Sequence, residues 1–336
     1  MTQWKNDTYL FDATKITNID KLLEFGWHAF EAGQYYISID CYNQAIRVDN
    51  RCEKAYIQRA RCRLLLNDGE GAVRDLRKAW NINQNCAETY HFLGYYLFGD
   101  NRFKEAIWFY DQVIELNKEY VGEAHFNKAV ALSKLGEVDS VIQECNLALE
   151  GYVHKLLPLS LRGATYIKKE MLKEALDDLT NAVELNPNDH FSLINKGHAL
   201  LLLRRHKEAL EVLDHLESVT GEQFNISGLK GIGELLQGNQ TKAVFEFSKG
   251  IGLDETNRSL YSLRGSVKVM LENYLGAELD FQKAVNLDPN NGEDYLKLGK
   301  IQLKLKKVAE ACLSFNRAGD LGCKEAYDEI KEHCKQ

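Results

Sequence analysis

The chain has 336 residues, of which 45% are hydrophobic, so it can bury a substantial core and is not a disordered sequence. Its 42 basic and 49 acidic side chains give a net charge of −7, which disfavours a general affinity for nucleic acid or anionic membranes. No apolar run exceeds five residues, and residues 1–20 lack a basic start followed by an apolar stretch. We therefore expect a cytoplasmic protein that neither binds nor spans a membrane.

Residues 1–18 form an N-terminal segment, at the end of which Thr17 and Asp20 make a T-x-x-D capping box that predicts the start of a helix. Beyond it, long amphipathic stretches contain alanine and glycine, with only three prolines in the chain and no alternating strand pattern. The chain is therefore predicted to be all-α. The apolar side chains of the N-terminal segment, which could cover a surface elsewhere, are Trp4, Tyr9, Leu10 and Phe11.

Small residues recur with a period of 34 along the predicted helices, interrupted by one inserted residue near Val121. Seven of these nine positions hold glycine and two hold alanine. The column consists of Gly26, Ala60, Gly94, Ala129, Gly163, Gly197, Gly231, Gly265 and Gly299. A period of this length indicates stacked copies of one supersecondary unit.

Three further columns follow in every repeat: a small residue such as Ala72, a bulky residue such as Leu76, and a small residue such as Ala79. They lie at i, i+4 and i+7, which is one face of a helix. Small residues let two antiparallel helices approach closely, and the bulky residues fill the space beside them. Each repeat is therefore predicted to be a helical hairpin. The bulky column is Tyr42, Leu76, Tyr110, Cys145, Leu179, Leu213, Phe247, Phe281 and Phe315.

This order of large and small residues in a 34-residue unit resembles the tetratricopeptide repeat. The resemblance implies a right-handed superhelical α-solenoid of nine helix-turn-helix repeats, with the first helix of each repeat lining a concave groove and the second forming the convex back. After the repeats, residues 326–336 are predicted to form a C-terminal capping helix. The expected repeats are residues 19–52, 53–86, 87–120, 122–155, 156–189, 190–223, 224–257, 258–291 and 292–325.

The sequence contains no constellation that predicts catalysis, a metal site or a cofactor. None of the nine histidines lies in an HExxH motif, and no phosphate-binding loop is present. The eight cysteines include no CxxC or CxxxC pair, which argues against a zinc site and a disulfide framework and favours reduced thiols. We therefore expect a protein that is not an enzyme.

Some tetratricopeptide domains hold the C-terminal carboxylate of heat-shock chaperones with lysine, asparagine and arginine side chains on successive first helices. The residues at the equivalent positions here are Leu23, Trp27, Ile57, Arg61, His91 and Tyr95. Since this set departs from the clamp, we expect chaperone docking by that mechanism to be absent.

The predicted groove is instead apolar and aromatic, with two asparagines that could pair with the backbone of an extended peptide. The third repeat alone holds ten of the chain's 34 aromatic residues. The candidate partner-binding residues are Phe92, Tyr95, Phe98, Phe126, Asn127, Val130, Phe191, Ile194, Asn195 and His198. Two alternatives stay open: neighbouring repeats or residues 1–18 could cover the aromatic residues, and the two asparagines could be incidental.

A basic column lies directly before the small-residue column, and either faces an acidic partner or extends along helix edges as a structural feature. It consists of Arg59, Lys128, Arg162, Lys196, Lys230 and Arg264. Taken together, the patterns favour a scaffold or adaptor that binds a peptide or helix of a partner protein. A repeat protein that binds single-stranded RNA would need a basic groove and base-reading pairs, which are not evident, and a regulatory subunit of an enzyme is the other alternative.

Overall fold

A computed structural model describes residues 13–116 and 119–334. These residues form nineteen α-helices and one 3-10 turn, Ala13–Lys15, and none of them lies in a β-strand. The all-α prediction is therefore confirmed. The chain divides into two compact units, residues 1–165 and 166–336. Within the N-terminal segment 1–18, the four apolar side chains proposed as a cover, Trp4, Tyr9, Leu10 and Phe11, lie outside the described residues.

The helices that begin in unit 1 are α1 Ile19–Glu31, α2 Tyr35–Val48, α3 Glu53–Leu65, α4 Gly69–Ile82, α5 Ala87–Gly99, α6 Phe103–Leu116, α7 Val121–Leu135, α8 Val138–Gly151 and α9 Leu156–Lys168. Helices α1 to α8 pack as four hairpins of consecutive helices. The first helices of neighbouring hairpins, α1, α3, α5 and α7, also contact one another in turn. They therefore share one surface, which we call the first-helix face of unit 1.

The helices that begin in unit 2 are α10 Leu172–Leu185, α11 His190–Leu202, α12 His206–Thr220, α13 Phe224–Leu236, α14 Gln240–Leu253, α15 Arg258–Met270, α16 Tyr274–Leu287, α17 Gly292–Lys304, α18 Val308–Asp320 and α19 Lys324–His333. Helices α11 to α18 pack as four further hairpins. The last helix, α19, places Ala326 and Ile330 against Phe315 of α18. It thereby covers apolar surface at the end of the last hairpin.

Five glycines of the small-residue column lie where the first helix of a hairpin meets an aromatic ring of the second helix, sixteen residues later, and Gly197 meets Leu213 in the same way. A Cβ atom built on Gly231 would lie only 2.5 Å from Cε1 of Phe247, so no larger residue fits without movement. Every aromatic residue of the bulky column follows a glycine in this way. The two alanines of the small-residue column are followed instead by Leu76 and Cys145. Aromatic rings of the bulky column thus always face a glycine, whereas leucine follows both glycine and alanine.

A residue with left-handed backbone conformation lies in the turn between the first and the second helix of each repeat. These turn residues again recur with a period of 34. These residues are Gly33, Asn67, Asn101, Gly136, Glu170, Arg204, Gly238, Glu272 and Lys306. The left-handed conformation costs an L-residue roughly 1–2 kcal/mol, and only glycine, and to a lesser degree asparagine, adopts it readily. This column was not recognised in the sequence because four of its members are charged residues.

The start of the first helix differs from the prediction. Asn18, not Thr17, is the N-cap of α1, because its side-chain oxygen accepts a hydrogen bond of 3.0 Å from the backbone N–H of Lys21. The predicted T-x-x-D capping box was therefore wrong by one residue. An asparagine three positions before a free N–H is an equally good cap.

The expectation that all eight cysteines are reduced is wrong for two of them. Cys312 in α18 and Cys334 at the end of α19 form a disulfide that joins the last helix to its neighbour. Their separation of 22 residues matches no short cysteine motif, and only the hairpin brings their Cα atoms to 5.6 Å. Three of the remaining cysteines, Cys41, Cys62 and Cys145, are buried and form no disulfide.

Three residues of the basic column form contacts between helices within the fold. Arg59 donates to Asp75 of α4 at 2.8 Å and to Asn43 of α2 at 2.6 Å, and so links the second helices of two consecutive hairpins. Lys230 and Arg264 form ion pairs with acidic residues of second helices in the same manner. For these residues the structural interpretation is confirmed, and they do not offer a basic row to an acidic partner.

Candidate partner-binding groove

A cavity of about 550 Å³ opens on the first-helix face of unit 1, and we call it the groove cavity. Its walls come from α1, α3 and α5, from one ring of α2 and from the turn before α7. The charged lining residues are Asp20, Glu24, Lys54, Arg61, Glu88 and Glu119. The other lining residues are Leu23, Trp27, Tyr42, Gln58 and Tyr120. The cavity therefore combines carboxylates with aromatic walls.

Arg61 of α3 points its guanidinium at aromatic rings of neighbouring helices. The guanidinium carbon lies 4.3 Å from the ring centre of Phe30 and 5.2 Å from that of Trp27, both on α1. It also lies 5.9 Å from the ring centre of Phe92 on α5. Such cation–π contacts stabilise the charge without an acidic partner. Arg61 thereby links three successive first helices along one wall of the cavity.

Gln58 and Glu88 form the polar floor of the groove cavity. Gln58 is only 6% exposed, and its Nε2 donates a hydrogen bond of 2.7 Å to Oε1 of Glu88. Its own Oε1 has no hydrogen-bond partner among the described residues. Burial raises the pKa of Glu88 above its ordinary value, although the Gln58 amide and the Arg61 charge act in the opposite direction. The floor therefore offers one buried hydrogen-bond acceptor, Oε1 of Gln58, that the fold itself does not satisfy.

The wall beside α7 results from the single residue inserted into the repeat period. Tyr120 has a left-handed backbone with φ of 68° and stacks on His91 of α5, with 5.0 Å between ring centres. His91 is buried, and burial lowers its pKa to about 4, so the ring is neutral near pH 7. Its Nε2 lies 3.5 Å from Oε1 of Glu123, whose pKa burial raises. The acidic character of the first-helix face thus continues onto α7.

The three aromatic candidates on α5 lie in different surroundings. Phe92 is partly buried against Ile57, and Phe98 packs on Phe103 with 5.4 Å between ring centres. Tyr95, by contrast, is 51% exposed. Covering by neighbouring helices therefore accounts for Phe92 and Phe98, and only Tyr95 presents most of its ring to solvent.

The candidates on α7 are all partly buried. The ring of Phe126 stacks on Tyr152, which follows α8, with 5.6 Å between centres. Asn127 and Val130 lie on the same helix, and neither lines the groove cavity. None of these three residues lines the groove cavity, although α7 belongs to the same first-helix face.

The four candidates in unit 2 all lie on α11. Phe191 is 47% exposed, and His198 is exposed as well. Ile194 packs against the core of its hairpin. Asn195 donates from Nδ2 to the carbonyl oxygen of Phe191 at 2.7 Å, so one of its amide donors serves its own helix.

Residues 86–127 match the tetratricopeptide repeat family. The fold is similar to that of a tetratricopeptide repeat protein from Parabacteroides merdae ATCC 43184, with a TM-score of 0.60 and 20% identity, over 74% of this chain and 98% of that one. The described residues therefore have the tetratricopeptide repeat fold. A second similar structure is the type IV pilus biogenesis factor PilW, with a TM-score of 0.55 and 17% identity, over 60% of this chain and 92% of that one. A search of curated proteins gave no match.

The groove cavity lies at the clamp-equivalent positions Leu23, Trp27 and Arg61. The sequence analysis does not select these positions as a site, because it compares them only with the residues of a carboxylate clamp. Gln58, Glu88 and Tyr120 were missed altogether, because no sequence pattern showed that they would be buried beside one another. Among residues 13–116 and 119–334, no cluster of His, Cys, Asp and Glu could hold a metal ion, and no helix is long and apolar enough to cross a membrane.

Proposed function

We propose that this protein is a non-catalytic cytoplasmic adaptor that binds a peptide segment of a partner protein on the first-helix face of unit 1. The observation that carries the proposal is the groove cavity, in which three successive first helices surround a buried amide oxygen without a partner. An unpaired buried acceptor costs free energy, and a bound peptide could supply the missing donor. The volume of the groove cavity, about 550 Å³, is in the range typical of ligand pockets.

The aromatic walls support the same proposal. Trp27 and Tyr120 offer large surfaces of low conformational entropy, as is common at the centre of protein interfaces. Tyr95 lies on the same helix as Glu88 and is exposed, so it could extend the contact along α5. We propose these three residues, rather than the whole set of sequence candidates, as the main aromatic contacts.

Site-specific photo-crosslinking tests the proposal. One variant replaces Trp27 of the groove cavity with p-benzoylphenylalanine, and a control replaces Tyr36, which is 74% exposed on the second helix α2. After irradiation in an extract of the native source, we expect a defined protein adduct at position 27 and none at position 36. Equal adducts at both positions, or an adduct only at position 36, would contradict binding on the first-helix face. A nucleic-acid adduct at position 27 would favour the RNA-binding alternative.

A further inference from the structure

The charged residues around the groove cavity are mostly acidic. Four carboxylates, those of Asp20, Glu24, Glu88 and Glu119, line it together with two cations, those of Lys54 and Arg61. Neither cation forms an ion pair with a carboxylate among the described residues, since Arg61 faces aromatic rings instead. The carboxylates around the cavity are therefore incompletely neutralised by the protein.

The hydrogen-bonding groups of the cavity floor also favour a cationic ligand. The Gln58 amide is oriented by its donation to Glu88, because the reversed amide would place two oxygens against each other. This leaves Oε1 of Gln58 as a buried acceptor beside the Glu88 carboxylate. A ligand group that satisfies both must donate hydrogen bonds, and a positive charge would also compensate for the partly buried carboxylate.

We propose that the groove cavity binds a lysine or arginine side chain of the partner segment, with the cationic group against Glu88 and Gln58. This proposal rests on the proposed function and specifies the chemistry of the partner. The aliphatic stem would lie along Leu23 and the rings of Trp27 and Tyr120, as long basic side chains do on apolar surfaces. The polarity is thus the reverse of a carboxylate clamp, in which basic residues hold an acidic ligand.

The neighbouring titratable groups reinforce this choice. Burial raises the pKa values of Glu88 and Glu123, so the ionised carboxylates lack full stabilisation in the free protein. His91 between them is neutral near pH 7 and adds no positive charge. An incoming cation would stabilise the Glu88 carboxylate, whereas an incoming carboxylate would face like charges in a site of low dielectric constant.

A random dodecapeptide phage library panned against the full chain tests the partner chemistry first. We expect the selected peptides to be enriched in lysine or arginine, and we expect Trp27→Ala to abolish their binding. Selection of acidic or neutral peptides whose binding also depends on Trp27 would overturn the basic-ligand proposal while leaving peptide binding on this face intact. Peptides that bind regardless of Trp27, or no selected peptide at all, would count against the proposed function itself.

A double-mutant cycle then identifies the charge contact. One selected peptide is synthesised with its basic residue and with norleucine in its place, and both are titrated against the wild type, Glu88→Gln and the control Glu70→Gln. Glu70 is exposed on the second helix α4, so its variant changes the net charge equally at a distance from the cavity. We expect Glu88→Gln to weaken binding of the basic peptide by about tenfold or more, and Glu70→Gln to leave it within about twofold.

The decisive result is the coupling between the two changes. If the cation contacts Glu88, norleucine and Glu88→Gln together should weaken binding hardly more than either change alone. Fully additive effects would overturn the contact. Should Glu88→Gln fail to fold, as judged by circular dichroism, Glu119→Gln at the exposed rim replaces it in the same cycle, with a smaller expected coupling of about threefold. Additivity there would equally overturn the proposal.

Discussion

Replacing Gly231 with alanine should destabilise unit 2, although alanine is the better helix former. A Cβ atom at this position would lie 2.5, 2.7 and 2.9 Å from three ring carbons of Phe247, whereas ordinary carbon contacts are about 3.5–4.0 Å. The ring must therefore move by about 1 Å. Phe247 is completely buried between the helices of its hairpin, so its ring can move only if the helices separate.

The magnitude follows from two opposing terms. Alanine in place of glycine inside a helix contributes about 1 kcal/mol of stability, and overpacking a core typically costs 1–3 kcal/mol. Because this contact is among the tightest, we expect a net loss of about 1–2 kcal/mol for Gly231→Ala. Gly265→Ala should cost less, because its Cβ would lie 3.0 Å from the Phe281 ring. Urea unfolding followed by circular dichroism measures both free energies.

The matched control and the rescue come from the chain itself. Gly252 of α14 has no atom within 4 Å of its added Cβ, so Gly252→Ala should gain about 0.5 kcal/mol. The double variant Gly231→Ala with Phe247→Leu reproduces the alanine and leucine found at positions 60 and 76, and should recover part of the loss. If Gly231→Ala proved as stable as Gly252→Ala, the glycine would not be required by the ring contact and the reasoning would fail.

Three further predictions address the turns, the buried histidine and the inter-helix ion pairs. Glu272→Gly should raise the unfolding free energy by about 1 kcal/mol, because Glu272 has a left-handed φ of 57°, and a lower melting temperature would contradict this. The pKa of His91 is lowered to about 4 by burial, so the unfolded state binds more protons between pH 6.5 and 4 and stability should fall as the pH drops through this window. His91→Phe should flatten that part of the pH profile of urea unfolding, whereas an unchanged profile would show that other groups cause the loss. Asp75→Asn should cost about 3 kcal/mol, because it leaves Arg59 and Arg63 without their buried carboxylate, and a cost below about 0.5 kcal/mol would show that the pairs are energetically neutral.

The fold could be predicted because its determinants repeat. Gly231 and Phe247 alone would say little, but the same pairing of a small and a bulky residue at an offset of sixteen occurs throughout the chain. Repetition turns a weak local signal into a strong one. The left-handed turn residues escaped notice although they have the same period, because charged residues such as Lys306 occupy positions that normally favour glycine or asparagine. There the packing of the two helices determines the backbone and overrides the local preference.

The site could be predicted only in part, because it depends on contacts between repeats. Apolar character selected Phe98 as a groove residue, yet Phe103 covers its ring within the same hairpin. Polar residues such as Gln58 and Glu88 carry no periodic signal, and their pairing across 30 positions appears only once the first helices lie side by side. A sequence pattern indicates which face of a helix is buried, but not which polar side chains meet across two helices.

The groove cavity arises where the chain departs from its own regularity. The inserted residue coincides with the left-handed Tyr120, a conformation that is uncommon for an aromatic residue and often marks a functional position. Glu88 also acts against the fold: its pKa is raised by burial, so the native state binds more protons than the unfolded state, and stability is lost as the pH rises above the ordinary glutamate range. At neutral pH the carboxylate therefore lowers the stability of unit 1. A partly buried charge that weakens the fold beside an acceptor without a partner is better explained by a ligand than by packing.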